Sequence, residues 1–133
     1  DMSLSFLLNR TWSADFTYSY LSMSDFINPI TNARDPINAP KHKGSIKLQY
    51  SPPDSKLGGT LNLRYVDAFP WQSGVYFGTI GPYTIIDLHA RYQLIDKVAV
   101  LLSVSNLFND HHIEIQGGPA IGRLVMLRLQ AEL

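Results

Sequence analysis

The chain has 133 residues, 45% of them apolar and 17% charged, and its 11 basic and 11 acidic side chains cancel. A balanced charge removes the electrostatic case for nucleic acid or an anionic surface as partner, and the lack of cysteine removes disulfides and thiolate metal sites. No apolar run approaches the roughly 20 residues of a spanning helix, which leaves a transmembrane barrel open, because barrel strands carry a much weaker hydropathy signal.

The chain opens at Asp1 on the approach to a strand, without a start methionine or a signal peptide, and so reads as a processed product or a piece of something larger. Residues 2–8 alternate Met2, Leu4, Phe6 and Leu8 against Ser3, Ser5 and Leu7, and a short connection at Asn9-Arg10 follows. Residues 11–22 form a clearer strand, with Trp12, Ala14, Phe16, Tyr18 and Tyr20 on one side and Ser13, Asp15, Thr17 and Ser19 on the other. Residues 22–43, with Pro29, Pro36 and Pro40 and no sustained period, read as a long loop. A loop of that length is uncommon in a compact domain and usually signals function.

Alternation returns in residues 44–51, where Ile46, Leu48 and Tyr50 oppose Lys47 and Gln49. Pro52, Pro53, Asp54 and the pair Gly58-Gly59 break it, and residues 60–69 resume with Leu61, Leu63 and Tyr65 opposite Thr60, Asn62 and Arg64. A second long connection, residues 70–82, is rich in glycine and aromatic rings. Next, Thr84, Ile86, Leu88, Ala90 and Tyr92 oppose Ile85, Asp87, His89 and Arg91. A tight connection at residues 95–97 leads to Val98, Val100, Leu102 and Val104 opposite Ala99, Leu101, Ser103 and Ser105. After a polar loop turning on Gly117, Gly118 and Pro119, the last run sets Leu127, Leu129, Ala131 and Leu133 against Arg128, Gln130 and Glu132. The count is about seven strands.

Connections alternate between short and long, so in an up-and-down sheet one end carries tight turns and the other large loops, as in outer-membrane barrels. Trp12, Tyr50 and Tyr92 then fall near the short-turn end, and Tyr18, Tyr20, Tyr65 and Tyr83 near the other, where rings with one polar atom suit the headgroup boundary. A soluble β-sandwich binding module would alternate in the same way, but soluble strands average about 5 to 6 residues, and a crossing strand needs about 9 to 11. The expected fold is therefore all-β, an antiparallel transmembrane barrel. Seven strands cannot close in lipid by themselves, because every backbone N–H and C=O there must be paired, so residues 1–133 are expected to be the C-terminal portion of a larger barrel.

Three segments carry a family likeness: Asn38-Ala39-Pro40-Lys41-His42-Lys43 leading into a strand, Asn106-Leu107-Phe108-Asn109-Asp110 closing the penultimate one, and Gly122-Arg123 opening the last. In their order and spacing they resemble the C-terminal barrel of TonB-dependent outer-membrane receptors, SusC-like or siderophore-receptor-like. One departure is the chain's end, Ala131-Glu132-Leu133, where the family commonly has an aromatic residue. The resemblance implies a plugged barrel of about 22 strands in the bacterial outer membrane. It also implies uptake of a scarce nutrient (iron chelate, cobalamin, glycan or peptide), with a plug upstream and TonB acting through that plug. Membrane lipid, the rest of the barrel and a surface lipoprotein are the further partners it implies, and a non-transport barrel subunit of an outer-membrane assembly is the rival role.

No enzyme motif is present: there is no nucleophile elbow, P-loop or zincin helix. Asp87, His89 and Arg91 have the residue types for acid–base work, but with Asn62, Arg64 and Arg128 they read as a polar lumen wall. His111 and His112, beside Asp110 and Glu114, have metal-ligand chemistry, yet neighbours on an extended chain point apart. No catalytic, metal or cofactor site is therefore expected. Trp71, Tyr76 and Phe77, and the two loop histidines, are the candidate contacts to a ligand or a partner, since binding residues concentrate on loops held by a rigid scaffold.

Overall fold

The computed structural model describes residues 1–132; Leu133, which the alternation assigns to the apolar side, lies outside them. In chain order the strands are β1 (Met2–Leu7), β2 (Trp12–Tyr20), β3 (Asp25–Ile27), β4 (Arg34–Pro36), β5 (His42–Tyr50), β6 (Leu57–Val66), β7 (Phe69–Ser73), β8 (Tyr76–Ile80), β9 (Tyr83–Ile95), β10 (Val98–Ser105) and β11 (Leu124–Ala131). Seven of them form one antiparallel sheet in the order β1-β2-β5-β6-β9-β10-β11, while β3-β4 and β7-β8 are separate two-stranded ribbons. Strand order follows chain order, so this is an up-and-down sheet whose two margins, β1 and β11, each pair on one side only.

Register locks the side-chain alternation of each strand to that of its neighbour. One cross-strand row runs Phe6, Ala14, Leu48, Leu61, Leu88, Val104, Val125; the next on the same face runs Leu4, Phe16, Ile46, Leu63, Ile86. The opposite face carries Ser5, Asp15, Lys47, Asn62, Asp87 and, one row on, Thr60, His89 and Ser103. A one-residue slip anywhere would carry an entire strand's apolar set to the polar face, so pattern and register enforce one another.

Nothing among the described residues covers the apolar face. Phe6 and Ile46 are about half exposed and Leu127 is 71% exposed, where a sandwich would bury them against a second sheet. Monomeric soluble proteins rarely leave contiguous apolar patches beyond a few hundred Å² in water. With each large side chain costing about 1.5–3 kcal/mol to leave exposed, this face requires an apolar environment. The buried apolar residues, Phe69, Ile80, Ile85, Ala99 and Val104, are few, and none belongs to a sandwich core.

The tight connections, residues 8–11, 51–56 and 96–97, lie at one end of the sheet. Asn9 Oδ1 accepts from the backbone N–H groups of Thr11 and Trp12 at 2.8 and 2.9 Å, and Gln93 donates through its side-chain Nε2 to the carbonyl of Ile95 at 2.8 Å; both satisfy backbone groups that the turns leave unpaired. Residues 21–41, 67–82 and 106–123 form the large loops at the other end.

The structure departs from the sequence expectations in four places. The Gly58-Gly59 pair does not break a strand but lies within β6, opposite Arg91 and Ala90. A Cβ on Gly59 would sit 2.9 Å from the His89 carbonyl oxygen, so glycine is there for close backbone approach rather than for a turn. Two loops expected to be irregular fold into ribbons, with Pro36 and Pro70 tolerated because each ribbon has only two strands and leaves one edge of every strand unpaired. Within the seven-stranded sheet, strand lengths spread from 6 residues in β1 to 13 in β9 rather than holding to a crossing length. Finally Tyr83, opposite Val66, falls on the polar face with Ile85 and Asp87 and not in the ring belt. Trp12, Tyr50 and Tyr92 at one end, and Tyr18, Tyr20 and Tyr65 at the other, do share the apolar face.

Candidate functional site

The polar face forms a wall whose charges are arranged in cross-strand pairs. Lys47 Nζ lies 3.6 Å from Asp15, which also accepts from Ser5 Oγ at 2.7 Å. Thr17 and Ser45 hydroxyls are 2.7 Å apart, and Arg64 Nε lies 3.1 Å from Asp87 Oδ2. Asn62, Arg64, Asp87, His89, Arg91 and Arg128 all take this face. His89 Nδ1 is 2.8 Å from Ser103 Oγ, and Arg91 donates to Gln93 at 2.7 Å. Asp87, His89 and Arg91 thus engage three different partners, an arrangement of a wall rather than of a proton relay.

At the large-loop end the wall turns into a loop anchor. Asp87 is buried and uses both carboxylate oxygens: Oδ2 takes Arg64, and Oδ1 accepts the backbone N–H of Asn106 at 3.0 Å. Asn106 in turn donates through Nδ2 to the Asp110 carbonyl at 2.7 Å and accepts the Asp110 amide on Oδ1 at 2.9 Å. Asn109 Oδ1 then receives the Arg123 amide at 2.8 Å. Asn106 and Asn109 hold φ of 56° and 57°, the left-handed region that Asn tolerates better than most residues. The Asn-Leu-Phe-Asn-Asp segment is therefore a folded knot that ties the root of the 106–123 loop to the wall through the Asp87 carboxylate, beside the Leu107 N–H donating to the Ile86 carbonyl at 2.7 Å.

The loop histidines part company here. His112 is buried, stacked on Tyr83 with ring centroids 4.5 Å apart, and its Nε2 lies 3.1 Å from Glu114 Oε1. His111 Nε2 instead sits 3.2 Å from Asn109 Nδ2. Among the described residues no three His, Asp or Glu side chains converge as a metal would require. A hollow of about 250 Å³ lies between this loop and the β8–β9 connection, lined by Thr79, Ile80, Pro82, His111, His112 and Gln116.

The aromatic trio of the β7–β8 ribbon also divides. Trp71 faces Gly78 across the ribbon and packs edge-on against Phe69 at 6.3 Å. Tyr76, on the same ribbon face, closes against Gly117, where a Cβ would meet its ring at 2.5 Å; Gln116 lies beside Gly78. Phe77 takes the opposite face and stays exposed. Asn38 links the first loop to this ribbon with a reciprocal pair, Nδ2 to the Gln72 carbonyl and Gln72 N–H to Oδ1, both 2.8 Å. The three loops consequently form one tied assembly over the polar wall. Sequence reading met Asn38 and Asn106 only as motif positions, without their anchoring bonds, and missed Gln116 and the inward turn of Tyr83. Of the last two, Tyr83 carried a usable signal, since the alternation through Thr84 already assigned it to the polar side.

By sequence, residues 1–107 match the family described as TonB dependent receptor-like, beta-barrel. No curated protein sequence matches the chain. Among solved structures it is similar to the FpvAI–pyocin S2 complex, with 18% identity and a TM-score of 0.73 over 97% of this chain and 19% of that one. It is also similar to a mutant of the ferric enterobactin receptor PfeA of Pseudomonas aeruginosa in complex with enterobactin, with 18% identity and a TM-score of 0.71 over 97% and 21%. A third is the ferric-catecholate import receptor Fiu of E. coli K12, with 16% identity and a TM-score of 0.72 over 97% and 20%. The chain thus spans about a fifth of the length of these structures, and the likeness extends over its whole seven-stranded sheet.

Proposed function

This chain belongs to the TonB-dependent receptor-like β-barrel family, and from that premise we propose that it forms the closing strands of an outer-membrane receptor importing a scarce nutrient, an iron chelate foremost. The full barrel has about 22 strands, with its apolar face on lipid and the wall of Asn62, Arg64, Asp87, His89, Arg91 and Arg128 lining the lumen. Closure is a chemical necessity, because the unpaired backbone of β1 and β11 cannot be left in hydrocarbon. An upstream plug fills the lumen and receives energy through TonB.

The observation that carries this reading is the tied loop assembly standing over a polar wall at one end of an uncovered apolar sheet. It gives a ligand entering from outside a surface of loop residues leading into a wet channel. Phe77, exposed on the outer ribbon face, and His111, on the rim of the loop hollow, are the proposed ligand contacts; Trp71, Tyr76 and His112 hold the loops that present them. The exposed tips at Ile30 and Val75 suit a surface lipoprotein partner. Choice of an iron chelate is supported by the similar receptors, one for ferric enterobactin and one for ferric catecholates. Deletion of the full-length gene, followed by uptake of radiolabelled iron from ferric catecholates and hydroxamates, tests it: loss of uptake for one chelate class is expected. Unchanged uptake of every chelate, with the protein still in the outer membrane, would leave the non-transport subunit as the better reading.

A further inference from the structure

The apolar face has a hollow at its short-turn end. The cross-strand row Trp12, Tyr50, Gly59, Ala90, Leu102 steps from two large rings down to a glycine and an alanine before rising again. Glycine is imposed at the bottom, since a side chain on Gly59 would collide with the His89 carbonyl oxygen. The result is a hollow of about 500 Å³, floored by Gly59 and walled by Trp12, Tyr50, Leu57, Leu61 and Leu88. All of its lining comes from β2, β5 and β6 and from β9, strands paired on both sides within the sheet, so neighbouring barrel strands cannot fill it. It opens on the face away from the polar wall, so a plug cannot reach it either.

On the membrane reading above, we propose that this hollow seats one acyl chain of a phospholipid in the leaflet at the short-turn end. The hollow is continuous with the apolar rows that meet lipid, and its upper rim is the Trp12–Tyr50 pair, with ring centroids 4.7 Å apart. Rings of this kind settle at the headgroup boundary, which places the polar part of the lipid beside them and its tail along Leu57, Leu61 and Leu88. A second glycine on this face, Gly44 between Tyr18 and Tyr65, borders a smaller hollow of about 260 Å³ that Lys43 and Arg64 share, so it lacks the apolar walls a tail meets here. Dispersion contacts that are small individually add up between such walls.

The test uses the full-length receptor, purified in detergent and titrated with palmitoyl-oleoyl-phosphatidylethanolamine under native mass spectrometry. The parent is expected to retain one phospholipid that binds more tightly than all later ones. Ala90→Leu, which adds bulk beside Gly59 in the same row while keeping the face apolar, is expected to weaken that first lipid about tenfold, roughly the worth of burying two methylenes. Leu57→Ala, which removes one wall without adding bulk, weakens it in the same direction and covers the case in which the first variant fails to assemble. Equal retention of the first lipid by parent and both variants would overturn the proposal, as would a receptor dimer that Ala90→Leu dissociates, because a second copy would then be the occupant. A receptor that stays in aqueous buffer without detergent would instead remove the membrane reading itself, and fractionation before the titration separates that failure from this one.

Discussion

Asp87 shows how much rests on one side chain. Its two oxygens serve two strangers, the Arg64 guanidinium on the wall and the Asn106 amide at the loop root. Asp87→Asn keeps the shape but leaves one acceptor where two are needed, so a buried donor goes unpaired at a cost of about 1–3 kcal/mol. We expect faster amide hydrogen exchange across residues 107–123 with the sheet amides unchanged; unchanged loop protection would dismiss Asp87 as the anchor. A second residue-scale test concerns Gly117, whose φ of 82° and contact with the Tyr76 ring leave no place for a side chain. Gly117→Ala is expected to cost about 1–2 kcal/mol for the left-handed backbone alone, measured by the denaturant midpoint of loop opening. Pairing it with Tyr76→Ala should recover the steric part and leave the backbone part.

Strands and loops differ in how they were legible. The seven long strands could be located from the sequence because apolar and polar residues alternate at a period of two, and the tight turns because Asn9-Arg10 and Asp96-Lys97 interrupt that period. The ribbons β3-β4 and β7-β8 were invisible, since strands of three to five residues interrupted by Pro36 and Pro70 carry too few alternations to set a period. What holds the second ribbon is tertiary: Gln72 to Asn38 on one side, Gly117 and Gln116 on the other. Asn38→Ala should therefore detach the first loop from the β7–β8 ribbon and raise the exchange of the Gln72 amide, while sheet stability changes by less than about 1.5 kcal/mol, the usual worth of such a bond. Equal protection of that amide in both proteins would count against the tie.

For the whole molecule the decisive property is which face of the sheet meets lipid. Leu88 and Asn62 lie on adjacent strands and opposite faces, so placing one cation at each position measures the difference. Leu88→Arg is expected to destabilise the full-length barrel in bilayers by about 2–4 kcal/mol near the midplane, and Asn62→Arg by far less. Chemical denaturation of the receptor in liposomes reads both. Equal penalties at the two positions would mean that the faces are not lipid and water.

The amino-acid sequence by itself determined the strands, the division of their side chains between two faces and the crowding of large loops at one end, because these follow from local periodicity and turn chemistry. It also carried the family likeness in the segments at Asn38, Asn106 and Gly122. Only the tertiary structure decided that Gly58 and Gly59 continue a strand, that the Tyr83 ring stacks on His112, and that Asp87 holds the loop root. Each of these depends on an atom contributed by a different strand or loop, the His89 carbonyl, the His112 ring and the Asn106 amide, and no one-dimensional pattern records which distant group a backbone will meet.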